Sequence, residues 1–172
     1  QVAFDIFRFN GQGLIAEHWD NLANVAGPNP SGRTQTDGTT EVSELDKTEE
    51  NRALIEAFLE DVMQGKHPEK TPEYFAGDAY LQHNTGIADG LSGLGAALEA
   101  LAADGIQMIY DRTHQVLAQG NFVLGVSEGT FGGKPTSYYD LWRVEDGKVA
   151  EHWDVMETIA DSADWQNENG KF

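Results

Sequence analysis

Alternation of apolar and polar residues over Val2–Phe9 and Leu14–Leu22, either side of Asn10-Gly11-Gln12-Gly13, predicts a β-hairpin at the start of the chain. Residues 24 to 45 lose that pattern and gather Pro28, Pro30, Gly32 and Gly38 among Thr and Ser, so they read as a linker. The period then becomes helical. Leu54, Ile55, Phe58, Leu59, Val62 and Met63 form one stripe of a helix that opens near Asp46, with Glu49 as a capping-box partner and Gly65 as the stop. A helical turn is expected over Pro72 to Phe75, then a strand over Ala79–His83. A second helix over Leu91 to Ala103 carries Leu94, Leu98 and Leu101 on one side and ends at Gly105. Four strands close the chain near Met108–Leu117, Phe122–Phe131, Ser137–Val144 and Lys148–Ile159, turning at Gln119-Gly120 and Asp146-Gly147, and the tail from Asp161 is irregular. Helices followed by an antiparallel meander are an α+β pattern, not alternating βαβ.

The string Glu17-His18-Trp19-Asp20 recurs as Glu151-His152-Trp153-Asp154. Phe4-Asp5-Ile6-Phe7-Arg8 precedes the first copy, and Tyr139-Asp140-Leu141-Trp142-Arg143 the second. Even the tails echo: Asn29-Pro30-Ser31-Gly32-Arg33 beside Asn167-Glu168-Asn169-Gly170-Lys171. A structural unit has been duplicated. Residues 1–34 therefore read as the closing hairpin and tail of one copy, 35–45 as a linker, and 46–172 as a complete copy. The expectation is that the natural chain continues upstream of Gln1, or that the first copy is reduced to a fragment. A lone two-stranded hairpin is marginal in water, so this one is expected to dock on the second copy or on a partner chain.

Composition narrows the function classes. At 172 residues and 40% hydrophobic, the chain can build one real core. Its 29 acids against 11 bases give a formal charge of −18, which leaves no basic footprint for nucleic acid and would be repelled by anionic lipid. No cysteine is present, which removes disulfides, thiolate catalysis and Cys-based zinc sites. No apolar run approaches a membrane span, and a cytoplasmic location is expected. Neither a Gly-x-Ser-x-Gly elbow nor a P-loop pattern occurs, so nucleotide binding has no support.

The chemistry depends on strand register. A three-residue loop Glu145-Asp146-Gly147 would set Asp140 opposite His152 and put Tyr138, Asp140, Trp142, Ala150, His152, Asp154 and Met156 on one face. A two-residue Asp-Gly turn would part Asp140 from His152. The first register gathers the polar residues among aromatics and is the one expected. The opposite face, with Tyr139, Leu141, Val149, Trp153, Val155, Arg143 and Glu151, is too apolar to stay bare, and should meet another subunit or the extra hairpin.

A carboxylate and an imidazole on the inner face of a sheet suit general acid–base work, with a buried pair that only fixes the fold as the alternative. His83 is expected to add a polar group at the mouth of the same cavity, while His114 reads as structural and His67 as solvated. His83, His152 and Asp140 are metal-ligand types, but no His-x-His, His-x-x-His or HExxH spacing occurs, so no metal is expected.

Residues 49–172 resemble the nuclear-transport-factor-2-like superfamily, in particular its SnoaL-like polyketide-cyclase branch. The resemblance rests on the first helix, on Tyr80-Leu81-Gln82-His83-Asn84 with Asp89-Gly90, on His114-Gln115-Val116 with Gly120-Asn121-Phe122-Val123-Leu124, and on Tyr139 to Arg143 with Asp146 to Asp154. It implies a cone-shaped α+β fold, a curved antiparallel sheet packed on helices around a pocket, and homodimers through the back of the sheet. It also implies aldol ring closure without metal or organic cofactor, with an acidic residue of the closing strand as general acid/base. That residue maps onto Asp154, and its neighbour across the pocket onto Asp140, where the cyclases tend to carry His. Two readings stand. In the first, an enzyme acts on a small hydrophobic carbonyl compound by aldol-type cyclisation or proton-shift isomerisation. Asp154 moves the proton, His152 and Asp140 tune it, His83 or Tyr138 binds the substrate oxygen, and Trp142 and Met156 complete the pocket. The second is a non-catalytic ligand-binding or dimeric assembly protein of the same fold.

Overall fold

Period-two sequences become strands and the apolar stripe becomes a helix. The computed structural model describes residues 1–172. β1 (Val2–Phe9) and β2 (Ile15–Ala23) form a separate antiparallel hairpin. The helical segment is α1 (Thr48–Phe58), running into one wider π turn at Leu59–Met63. A short 3-10 stretch over Pro68–Tyr74, β3 (Leu81–Gln82) and α2 (Gly90–Ala103) follow. The meander is β4 (Met108–Gln119), β5 (Phe122–Phe131), β6 (Lys134–Glu145) and β7 (Lys148–Thr158). The five-stranded sheet has the order β3-β7-β6-β5-β4, antiparallel except for the β3–β7 pair. Two register shifts in β4, at Tyr110/Arg112 and Thr113/Gln115, bend the sheet toward the helices.

The capping box does not form. Asp46 lies in a 3-10 turn, Lys47 holds the N-cap position without a side-chain cap, and the Thr48 hydroxyl bonds the Leu45 carbonyl instead. The main core lies between α1 and the concave face of the sheet, where Ile55, Phe58 and Leu59 meet Trp142, Val144 and Val149. Burial of these large apolar side chains is the chief stabilising term, at about 1.5–3 kcal/mol each.

The convex face is covered by the chain itself. Ile6, with Phe4 and Trp19, packs on Val126, Tyr139 and Leu124, and Phe172 from the tail joins them. Buried Asn21 donates from Nδ2 to the carbonyls of Ser137 (3.0 Å) and Val155 (2.9 Å), so the hairpin is hydrogen-bonded to β6 and β7. Lys171 Nζ donates to the Asp20 carbonyl at 2.7 Å and closes the tail beneath it. The linker is a strap bonded to the domain along its length. Asn29 Nδ2 donates to the Gln82 and Ile87 carbonyls, Arg33 pairs with Asp89, and Ser43 and Asn121 exchange hydrogen bonds.

Candidate active site

β6 and β7 are joined by a two-residue turn in which Asp146 (φ 50°) and Gly147 (φ 70°) are both left-handed. Asp tolerates that region and Gly has no Cβ to clash, so the Asp-Gly pair dictates this type I′ geometry. The expected three-residue loop is thus corrected: Glu145 faces Lys148, and Val144 faces Val149. An irregularity between Arg143 and Val144 then shifts the register, giving Arg143 opposite Glu151, Trp142 opposite His152 and Asp140 opposite Asp154. The bulge restores the parity that the shorter turn removes. Asp140, Trp142, His152 and Asp154 therefore do share the concave face, with Asp140 facing Asp154 rather than His152, while Val149 joins the inner core instead of the outer face.

These four residues form one wall of a cavity of about 180 Å³. The opposite wall is apolar: Phe58, the widened turn with Val62 and Met63, and Leu94 and Leu98 of α2. His152 Nε2 lies 3.0 Å from Asp140 Oδ1, and its Nδ1 3.0 Å from Gln82 Oε1. That same Gln82 oxygen accepts the Asn84 backbone N–H at 2.9 Å. An N–H only donates, so the Gln82 atom is an acceptor and His152 must carry its hydrogen on Nδ1. Its Nε2 faces Asp140, whose carboxylate also accepts the Tyr110 hydroxyl at 3.1 Å.

Asp154 is half-buried at the cavity, and Asn84 Nδ2 donates to its Oδ2 at 2.7 Å. Burial holds its carboxyl above the usual aspartate range, with His152 opposing and the Asp140 charge reinforcing the shift. Tyr80 is 3% exposed and stays a phenol, since burial and the Asp140 and Asp154 charges push its ionisation well up. Gln82 Nε2 donates to the Tyr80 hydroxyl oxygen at 3.3 Å, which leaves the phenolic hydrogen without a protein acceptor.

His83 is elsewhere, a correction to its expected place at the cavity mouth. Along Tyr80-Leu81-Gln82-His83-Asn84, Tyr80, Gln82 and Asn84 line the cavity and His83 points to the convex side. There it stacks on Trp153 (4.6 Å), with Nδ1 2.8 Å from both the Thr34 carbonyl and Asp37 Oδ1. Its Nε2 is 2.9 Å from Glu151 Oε1, and Arg143 Nε donates to Glu151 Oε2 at 2.8 Å. Burial works against charge on His83, but Glu151, Thr34 and Asp37 outweigh it and raise its pKa. Burial also opposes charge on Glu151, yet His83, Arg143 and Thr39 hold its pKa down at about 2. Tyr138 and Met156 face each other further along the sheet, beyond the residues that line the cavity, and Tyr138 spends its hydroxyl on the Thr130 carbonyl at 2.8 Å.

Gln82, Asn84, Tyr80 and Tyr110 are site residues that the pattern of acids and histidines in the sequence does not mark. Strand alternation marks the first three, which share parity. Tyr110 reaches Asp140 only because β4 curls over the cavity.

The hairpin repeats the site in the open. Asp5 faces Asp20 and Phe7 faces His18, the register of Asp140/Asp154 and Trp142/His152. His18 Nε2 lies 2.9 Å from Asp5 Oδ1, and Arg8 pairs with Glu17 as Arg143 does with Glu151. Donor atoms of Asp5, His18 and Asp20 lie within 4.8 Å of one another, close enough to share an ion, on a largely exposed face.

Among solved structures, a protein named as a candidate ketosteroid isomerase from Kribbella flavida DSM 17836 superposes with a TM-score of 0.52 at 16% identity, over 73% of this chain and 94% of its own. A protein of unknown function with a cystatin-like fold from Xanthomonas campestris gives 0.52 at 20% identity, over 66% and 92%. A nuclear-transport-factor-2-like protein from Burkholderia xenovorans LB400 gives 0.49 at 20% identity, over 64% and 92%. Identity this low bears on fold alone, and the shared fold is the nuclear-transport-factor-2-like cone. No curated protein matches the chain. The SnoaL-like domain model matches residues 55–152, more than half the length, from α1 to the histidine of the second Glu-His-Trp-Asp string, and the chain belongs to that family.

Proposed function

We propose that the chain is an acid–base enzyme that needs no cofactor and acts on a small hydrophobic carbonyl compound. Asp154 carries the reading: its carboxyl stands at an apolar cavity, is held above the usual aspartate range by burial, and is oriented by Asn84. As carboxylate it takes a proton from a carbon next to the carbonyl. The C–H electron pair becomes the enolate C=C, and the C=O π pair moves onto oxygen. The new carboxylic acid then returns its proton to another carbon, completing a proton-shift isomerisation. For aldol closure the enolate carbon attacks a second carbonyl instead, and the resulting alkoxide takes the proton. Asp140 and His152, fixed by Tyr110 and Gln82, position Asp154 and set its charge environment.

The test is deuterium exchange at carbons next to the carbonyl of small ketones in heavy water, followed by NMR. Asp154→Asn should slow exchange by about 10²-fold or more while melting at the wild-type temperature. An unchanged exchange rate removes Asp154 as the base.

One observation favours the second reading, a non-catalytic binder. The Asp5–His18 pair repeats the same contact on the exposed surface, so the pair also serves strand pairing alone. As a homodimer, such a protein would associate through surfaces beyond the convex face that its own hairpin covers.

A further inference from the structure

The cavity holds one buried hydrogen-bond donor that the fold leaves unused. Tyr80 is fixed on both sides: Phe75 packs edge-on at 4.9 Å, and Gln82 Nε2 donates to its oxygen. With that lone pair engaged, the O–H hydrogen needs an acceptor, and Tyr80 donates no hydrogen bond to the protein. Tyr110, the other cavity-lining tyrosine, by contrast gives its hydrogen to Asp140. Buried donors in native proteins are almost always paired, so an unpaired one at a cavity wall marks the place of a ligand oxygen.

Volume sets the second constraint. About 180 Å³ is little more than the ~150 Å³ of an engineered cavity that holds benzene, and lies below the roughly 300–1,000 Å³ of pockets for drug-sized ligands. Most of the polar groups sit on or beside the sheet wall, Thr71 of the 3-10 stretch apart, and the residues that α1, the π turn and α2 contribute are apolar. A ligand that satisfies both walls has one hydrocarbon ring and one oxygen at its edge.

We infer that the site takes single-ring carbonyl compounds, and that Tyr80 is the residue that reads the carbonyl oxygen by donating its phenolic hydrogen to it. This rests on the acid–base reading and narrows it: the oxygen that becomes an enolate is the one Tyr80 holds, beside the carboxyl of Asp154. Two-ring and four-ring ketones exceed the space. Single-ring substrates also favour the proton shift over the folding of a long chain into a new ring.

The experiment is titration calorimetry with four probes: cyclohex-2-enone, its hydrocarbon counterpart cyclohexene, a two-ring octalone and progesterone. The wild type should bind cyclohexenone about tenfold more tightly than cyclohexene, the contribution of one well-placed hydrogen bond. Octalone and progesterone should give no saturable heat. In Tyr80→Phe the tenfold preference should fall to parity while cyclohexene binds as before, and Leu94→Ala should admit octalone. Infrared difference spectra supply a readout that needs no variant: the carbonyl stretch of bound cyclohexenone should move to lower frequency. Equal binding of cyclohexene and cyclohexenone by the wild type, an unshifted carbonyl stretch, or saturable progesterone binding would each overturn the inference. Asp154→Asn should keep the binding pattern. If the pattern holds in every chain and no deuterium exchange occurs in the wild type, the acid–base reading fails and the ligand assignment stands.

Discussion

Glu151→Gln removes a charge that is 0% exposed and held between His83 and Arg143. Full burial means little solvent screening of the interaction. In the fold the Glu151 pKa is about 2, against an ordinary value of 4.5 in the unfolded chain. Because the folded value is the lower one, the stabilisation is complete above pH 4.5 and is lost as the pH falls toward the folded value. The whole gap corresponds to about 3 kcal/mol, of which about 2 kcal/mol is gone by pH 3. At pH 7 the substitution leaves Arg143 and His83 facing an amide, a loss of about 3–5 kcal/mol. Urea unfolding of both chains between pH 7 and pH 3, read by tryptophan fluorescence, separates the two effects. The other carboxylates titrate in both chains and cancel in the difference, apart from close neighbours. The stability gap should be widest near neutrality and narrow by about 2 kcal/mol at pH 3. A gap that stays constant across that range would refute the ion-pair account of the convex face.

Four further outcomes are expected. The acid limb of the deuterium-exchange rate should lie above the ordinary aspartate value of 3.8, since exchange needs Asp154 ionised and burial raises its pKa. Asp140→Asn removes a like charge and should move that limb to lower pH, whereas His152→Gln should move it higher; shifts of the same sign would contradict the assigned neighbours. A Cβ at Gly129 would overlap the Ile109 carbonyl, while one at Gly95 in α2 meets open space. Gly129→Ala should therefore destabilise by about 3 kcal/mol or more, and Gly95→Ala stabilise by about 0.5–1 kcal/mol, both measured by chemical denaturation. Asn21→Ala removes two bonds that dock the hairpin and should speed amide hydrogen exchange in β1 and β2 at least tenfold, with β5 unchanged.

Much of this architecture is legible in the sequence because period-two and period-3.6 patterns act locally. β5 is read to the residue, β4 and β7 within two, and β6 starts earlier, at Lys134, where its pattern merges with the Gly132-Gly133 turn. Register is harder. Asp146-Gly147 favours a type I′ turn on its own chemistry, and the irregularity beside Arg143 that rescues the parity leaves no signature in side-chain type. The site divides in the same way. Asp140, Trp142, His152 and Asp154 follow from alternation within one hairpin. His83 drew attention as a histidine although its parity sends it outward, while Gln82 and Asn84 carry no titratable group to draw it. Tyr110 depends on the curvature of five strands, which no local pattern encodes. The strap over residues 24–45 shows the remaining limit: its composition reads as a loop, and the single buried side chain of Asn29 orders it.

That strap has a further consequence. An apolar surface covered by a separate partner is protected only while the partner is bound, so its exposure rises as the protein is diluted. Here the cover is tethered through residues 24–45, and the tether replaces the partner's concentration with a fixed local one that dilution cannot change. The convex face of this protein should stay shielded to the same degree at nanomolar and at millimolar concentration.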